Sequence, residues 1–240
     1  MVLTAGSAHG AAAILSEGLQ QAHVPPAEVS IVILSHDAGP MFDISERLGP
    51  LQGWFDDHVR PLRAVLDLFA GDASAVHKRA QELERLAAIV TGDSDEVAQC
   101  AASVAGAWPG GAGEVAIDLI ASYQEVNDEV ARVFRRLGVL VLETAASAAK
   151  ARVEIYRIVA EALSRVSRSA LDAVAAGFTS GAMLAFVAWA ARFIAGVIRR
   201  VGRIAEAAID AVTVLLEEQA GLSSALDRAS VALVSGQTSA

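Results

Sequence analysis

One cysteine, Cys100, occurs in 240 residues. A lone thiol cannot close an intramolecular disulfide, so the fold does not rest on oxidation and the compartment stays open. Cys100 lies among alanines in a helical pattern, which suits a packed or surface-neutral thiol better than a nucleophile. Histidine is sparse too. His9, His23, His36, His58 and His77 make no His-x-x-x-His pair, and there is no Cys-x-x-Cys, so metal-ligand spacing is missing and no cofactor is expected. His36-Asp37 and Asp56-Asp57-His58 are the only imidazole and carboxylate neighbours. Adjacent helical residues point in different directions, which makes the second cluster a solvated face. Gly110-Gly111-Ala112-Gly113 lacks the preceding strand and the internal Lys of a nucleotide loop. Together these absences predict a non-enzymatic chain.

Clustered positive charge is also wanting. A net charge of −9, with Arg135-Arg136 and Arg199-Arg200 as isolated basic pairs, argues against a nucleic-acid partner. Residues 1–13 lack the basic start and continuous apolar run of a secretory signal, so export, if it occurs, takes another route. No catalytic segment is expected after Val234. Only residues 173–191 run without a charge for the length of a bilayer, between Asp172 and Arg192. Gly177, Thr179, Ser180 and Gly181 interrupt that run. Two readings stay open: a helix buried in a bundle, which is the leading expectation, and a membrane-active segment presenting Phe178, Leu184, Phe186 and Trp189.

What the chain does have is helix. Hydrophobic residues make up 54% of it, but much of that is alanine, which favours helix and close helix approach while burying little area per residue. The bundle is therefore expected to be slender and to draw stability from a partner. Val76, Ala80, Leu83, Ala87, Val90, Val97, Ala101, Val104 and Trp108 follow alternating three and four steps, broken only at Ser94. Leu119, Tyr123, Val126, Val130, Val133, Leu137 and Leu140 repeat the step without a miss. Such spacing keeps one narrow stripe facing a partner helix. Between the stripes stands Trp108-Pro109-Gly110-Gly111. Pro109 restricts Trp108 away from helical geometry and the glycines accept positive φ, so the first arm should stop near Trp108.

The pattern thus predicts an all-α, elongated bundle built on a long helical hairpin. Residues 1–50 read as an irregular segment, with a short helix at 8–22, an apolar β-branched run at 29–34 and loops at Gly39-Pro40 and Gly49-Pro50. Residues 51–70 read as helix with Pro61 as a restart or kink, and Trp54, Val59, Leu62, Leu66 and Phe69 as its apolar face. Gly71-Asp72 separates it from the first arm, which Thr91-Gly92-Asp93-Ser94 is positioned to kink or break. The second arm reads from 112 to 176, with Gly138 as its weak point. Unbroken, it would span about 95 Å, so it protrudes or bends. A last helix is expected over 191–219, and residues 221–240 form a weakly ordered tail.

A helical hairpin with Trp-x-Gly at its tip resembles the WXG superfamily of type VII (ESX) secretion substrates, with Trp108 and Gly110 at the two signature positions. Trp54-Phe55-Asp56-Asp57-His58-Val59-Arg60-Pro61-Leu62 and Leu66-Asp67-Leu68-Phe69-Ala70-Gly71-Asp72, followed by the hairpin and an Ala-rich helix, resemble the longer actinobacterial members, including the N-terminal domains of polymorphic toxins. The likeness covers about residues 51–218. It implies a secretion-targeting or delivery module, cytoplasmic before export and then secreted or at the cell surface, recognised by the type VII secretion ATPase in complex with small WXG-type helical partners. Those partners are expected along Leu83, Val90, Val97, Val104, Leu119, Tyr123, Val126, Val130, Val133, Leu137 and Leu140. The chain departs from the family's Tyr-x-x-x-Asp/Glu mark, since Asn127 follows Tyr123 by four and Ala160 follows Tyr156 by four. The resemblance then implies that a partner supplies that half of the signal. A membrane-inserting or pore-forming protein and an intracellular scaffold remain as alternatives.

Overall fold

The computed structural model describes residues 14–15, 52–108, 110–175 and 180–235, and no strand occurs among them. The protein is an all-α bundle of long packed helices. Helix α1 spans Gln52–Leu68, α2 Ala73–Ala107, α3 Gly111–Ala175 and α4 Ser180–Ser235. The expectations for residues 1–50 lie outside the described residues, except that Ile14 and Leu15 are helical and Leu15 is fully buried.

The chain divides into two compact units. In the first, Ser74–Thr144 joins the described parts of Met1–Ala27 and Thr213–Ala240. Its core gathers Leu83 of α2, Val126, Val133, Leu137 and Leu140 of α3, and Leu215, Leu222, Ala225 and Ala229 of α4 around Leu15. The α3 positions are the stripe that the three-four repeat predicts, because only that spacing keeps successive side chains on one face. Arg136 lies beside this core and reaches Glu143 at 3.4 Å and Glu218 of α4 at 3.2 Å. All three side chains are largely buried, and the Arg136 Nε has no hydrogen-bond partner among the described residues. Breaking such a triad leaves uncompensated charge out of water, at a cost of about 3–5 kcal/mol.

The second unit joins α1 to Ala145–Val212. Val59, Leu62 and Leu66 of α1 and Phe69 just beyond it step by three and four, and Phe186, Ala190, Ile194, Val197, Val201, Ala205 and Ala208 of α4 do the same. The α3 contribution is broader, with the neighbours Ile158 and Val159, and Ala162 and Leu163, buried in pairs. Pro61 sits inside α1 without ending it, and its ring is exposed. The side chain of Trp54 lies outside the described residues.

Two sequence expectations need correction. The segment Thr91-Gly92-Asp93-Ser94 neither breaks nor ends α2, which runs through it as helix. The boundary near residue 220 is absent: α4 begins at Ser180 and continues through Gly221 to Ser235. Leu222, Ala225 and Ala229 are buried, so residues 221–235 belong to the core of the first unit and are no loose tail. One glycine in a long helix costs only about 1 kcal/mol relative to alanine, which burial of a single leucine offsets. The replacement Leu222→Ala should therefore lower unfolding free energy by about 2–5 kcal/mol in urea denaturation; a midpoint unchanged from wild type would place 221–235 outside the fold.

Candidate functional site

The hairpin of α2 and α3 is held by contacts spaced along its arms, short of its tip. A Cβ added at Gly138 would stand 3.4 Å from the Ala80 carbonyl oxygen and 3.6 Å from the Leu83 Cβ, so a small residue at this position lets the two helices approach closely. Nearer the tip, Arg135 donates to the Thr91 hydroxyl at 2.9 Å, and that hydroxyl donates back to the Ala87 carbonyl at 2.9 Å. The Ser94 hydroxyl bonds the Asp128 carboxylate at 3.1 Å, while the Gln124 amide donates to the Ser94 carbonyl at 3.4 Å. Ser94 is buried. The missing apolar residue in the α2 stripe is thus a polar clasp, satisfied from α3 as a buried hydroxyl must be.

Beyond Ser94 the hairpin thins. From Asp95 to Ala107 no residue of α2 is buried, and Val97, Ala101 and Val104 are only half-buried. On α3, Ile117, Leu119, Ile120 and Tyr123 are half-buried as well. The tip itself is a tight turn. Trp108 donates its backbone N–H to Val104 at 2.9 Å, the last helical bond of α2. Gly110 takes φ +105°, a conformation that L side chains rarely adopt, and its carbonyl accepts from Gly113 at 2.9 Å and Glu114 at 3.2 Å to start α3. Glu114 lies in the first turn, where a carboxylate suits the helix dipole. Gly113 is buried beneath the turn, and a Cβ there would overlap the Trp108 carbonyl oxygen. Trp108 is 62% exposed. It does not plug the end of the bundle.

The expected partner stripe divides in two. Leu83, Val126, Val133, Leu137 and Leu140 close the chain's own core, which corrects their assignment as a partner surface: a stripe buried within one chain is not free to bury another. Val90, Val97, Val104, Leu119, Tyr123 and Val130 are half-buried. In residues 173–191, Phe186 and Ala190 are buried but Leu184 is 71% exposed and Trp189 is exposed, so only one face is covered by the chain. Phe178 lies outside the described residues. Trp189 stacks on Phe193 with centroids 5.4 Å apart and meets Phe186 at 6.0 Å.

Sequence reasoning missed Gly113, the Ser94 clasp and the Arg136 triad. In sequence Arg136 is half of an isolated basic pair with Arg135, yet neither guanidinium stands apart from the fold. His58, His77 and Cys100 are exposed. Among the described residues no three His, Cys, Asp or Glu side chains are grouped to hold a metal ion. The chain matches no family model, no curated protein and no solved structure.

Substitutions at the turn should separate its glycines. Gly113→Ala has to displace the Trp108 carbonyl and Gly110→Ala has to hold a positive φ, the latter costing about 1–2 kcal/mol. Gly111→Ala meets open space and should be neutral within about 0.5 kcal/mol. Thermal denaturation of the three variants checks this, and equal melting points would show that the turn geometry carries no energetic weight.

Proposed function

We propose that the protein is a type VII secretion targeting or delivery module of a secreted effector, non-enzymatic and working as a complex with small WXG-type helical hairpins. The observation that carries this reading is the exposure of Trp108 at a turn built to hold it there. Trp108 keeps a large apolar surface in water at the apex of the hairpin, where a receptor or partner can cover it. The thin, half-buried seam between Ser94 and the tip supports a partner at this end, because Val97, Val104, Leu119 and Tyr123 keep apolar area that another helix can bury. The type VII secretion ATPase is the proposed reader of the exposed tip. The chain is then cytoplasmic before export and reaches the outside by the type VII route, with the Tyr-x-x-x-Asp/Glu half of the signal supplied by its partner.

The test compares export with stability. Trp108→Ala should reduce secretion by at least about tenfold while shifting the melting temperature little, since an exposed side chain contributes little packing. Leu137→Ala, in the core, should cost about 2–5 kcal/mol of stability. Secretion of Trp108→Ala at the wild-type level would remove the export reading.

A membrane-active second reading rests on α4. It is the one described helix long and apolar enough to cross a membrane, with an 18-residue stretch of mean hydropathy 1.8 that is only 22% buried. Liposome flotation measures it, and Leu184→Asp is the informative variant because Leu184 is exposed and its replacement leaves the core intact. The export reading predicts no flotation of the wild type; flotation that Leu184→Asp abolishes would favour the membrane reading instead.

A further inference from the structure

Between α3 and α4 in the second unit lies a groove of about 510 Å³ whose floor is apolar, with Ala151, Ile204 and Ala208, and whose lining includes the cations Lys150, Arg200 and Arg203. Glu154 is the one carboxylate lining it. In a chain of net charge −9 this is a local inversion of charge. Among the described residues, the ion pairs engage other side chains and none holds Lys150, Arg200 or Arg203. A second cavity of about 260 Å³ shares Arg200 with it, and its walls include Ile158, Phe193 and Val197 with Arg165 and the carboxylate of Glu161. The alanines make the groove, since short side chains on facing helices leave space that leucines would fill.

We propose that this groove binds a single-chain anionic amphiphile, with a carboxylate or phosphate head held by Lys150, Arg200 and Arg203 and an alkyl chain laid along the alanine floor. Polar recognition at one rim and an apolar bed beside it are what such a ligand requires, and the volume falls in the range of small-molecule sites. From Arg200 to Ala211 the helix rises about 16 Å, the scale of an extended twelve-carbon chain. The inference is independent of the export reading, because none of these residues belongs to the hairpin tip.

Calorimetric titration of the full chain with dodecanoate below its micelle concentration tests it, with dodecyltrimethylammonium as the cationic control and phosphatidylglycerol vesicles as the membrane arm. Saturable binding of one dodecanoate is expected, with at least about tenfold weaker affinity in Arg200→Glu/Arg203→Glu. Arg199→Glu reverses one charge where the groove variant reverses two, on an exposed neighbour outside the groove, and should alter affinity less than about twofold. Ala207→Leu/Ala211→Leu, at exposed positions lining the groove, should weaken binding by filling it, with helicity checked by circular dichroism. No saturable binding of dodecanoate, equal affinity for the cationic amphiphile, equal losses in the Arg199 and the Arg200/Arg203 variants, or binding to vesicles alone would each overturn the proposal.

Discussion

The buried stripe of α3 is the constraint on which both units depend. Side chains at three-four spacing must be removed from water, and α3 contributes such residues to the core of each unit, with α2 and the end of α4 in one and α1 and the middle of α4 in the other. Because so many of these residues are alanine, closeness of approach has to compensate for small area. Gly138 against Ala80 and Leu83 is one instance, where an added Cβ would come into ordinary contact with the facing helix.

A seam this tight has little tolerance for polar groups without partners. Ser94 and Thr91 enter the α2 face and are answered by Asp128, Gln124 and Arg135 from α3, so helix is retained where turn-forming residues stand in sequence. The Arg136 triad is the larger version of the same demand. A buried ion pair adds little net stability compared with apolar packing, yet it penalises any register that separates its members, and it ties Glu218 of α4 to one position along α3. Buried charge in this chain specifies pairing more than it strengthens it.

Two of the places where apolar surface escapes burial carry the functional readings. At the hairpin tip, Gly110 and Gly113 fold the backbone so tightly that Trp108 is directed into solvent. On α4, Leu184 and Trp189 lie on the uncovered side of a helix whose other side is core. The groove lined by Lys150, Arg200 and Arg203 differs from both, because charge and cavity occur together there.

Periodicity and breakers alone determined the helical class, the span of α1, the hairpin, its turn at Trp108 and the α3 stripe, since helix formation and termination are governed by residues close in sequence. The continuation of α2 through Thr91-Gly92-Asp93-Ser94 was not legible, because the groups that satisfy those residues arrive from α3, 30 or more positions away. Likewise Gly221 and the serines after it read as a helix end until Leu222, Ala225 and Ala229 were seen packed in a core. Only the tertiary structure decided which stripe residues the chain keeps for itself, that Trp108 is exposed, and that Arg136 is buried with two glutamates. Burial and charge pairing depend on what lies opposite in space, and a stripe looks the same in sequence whether its partner is the same chain or another.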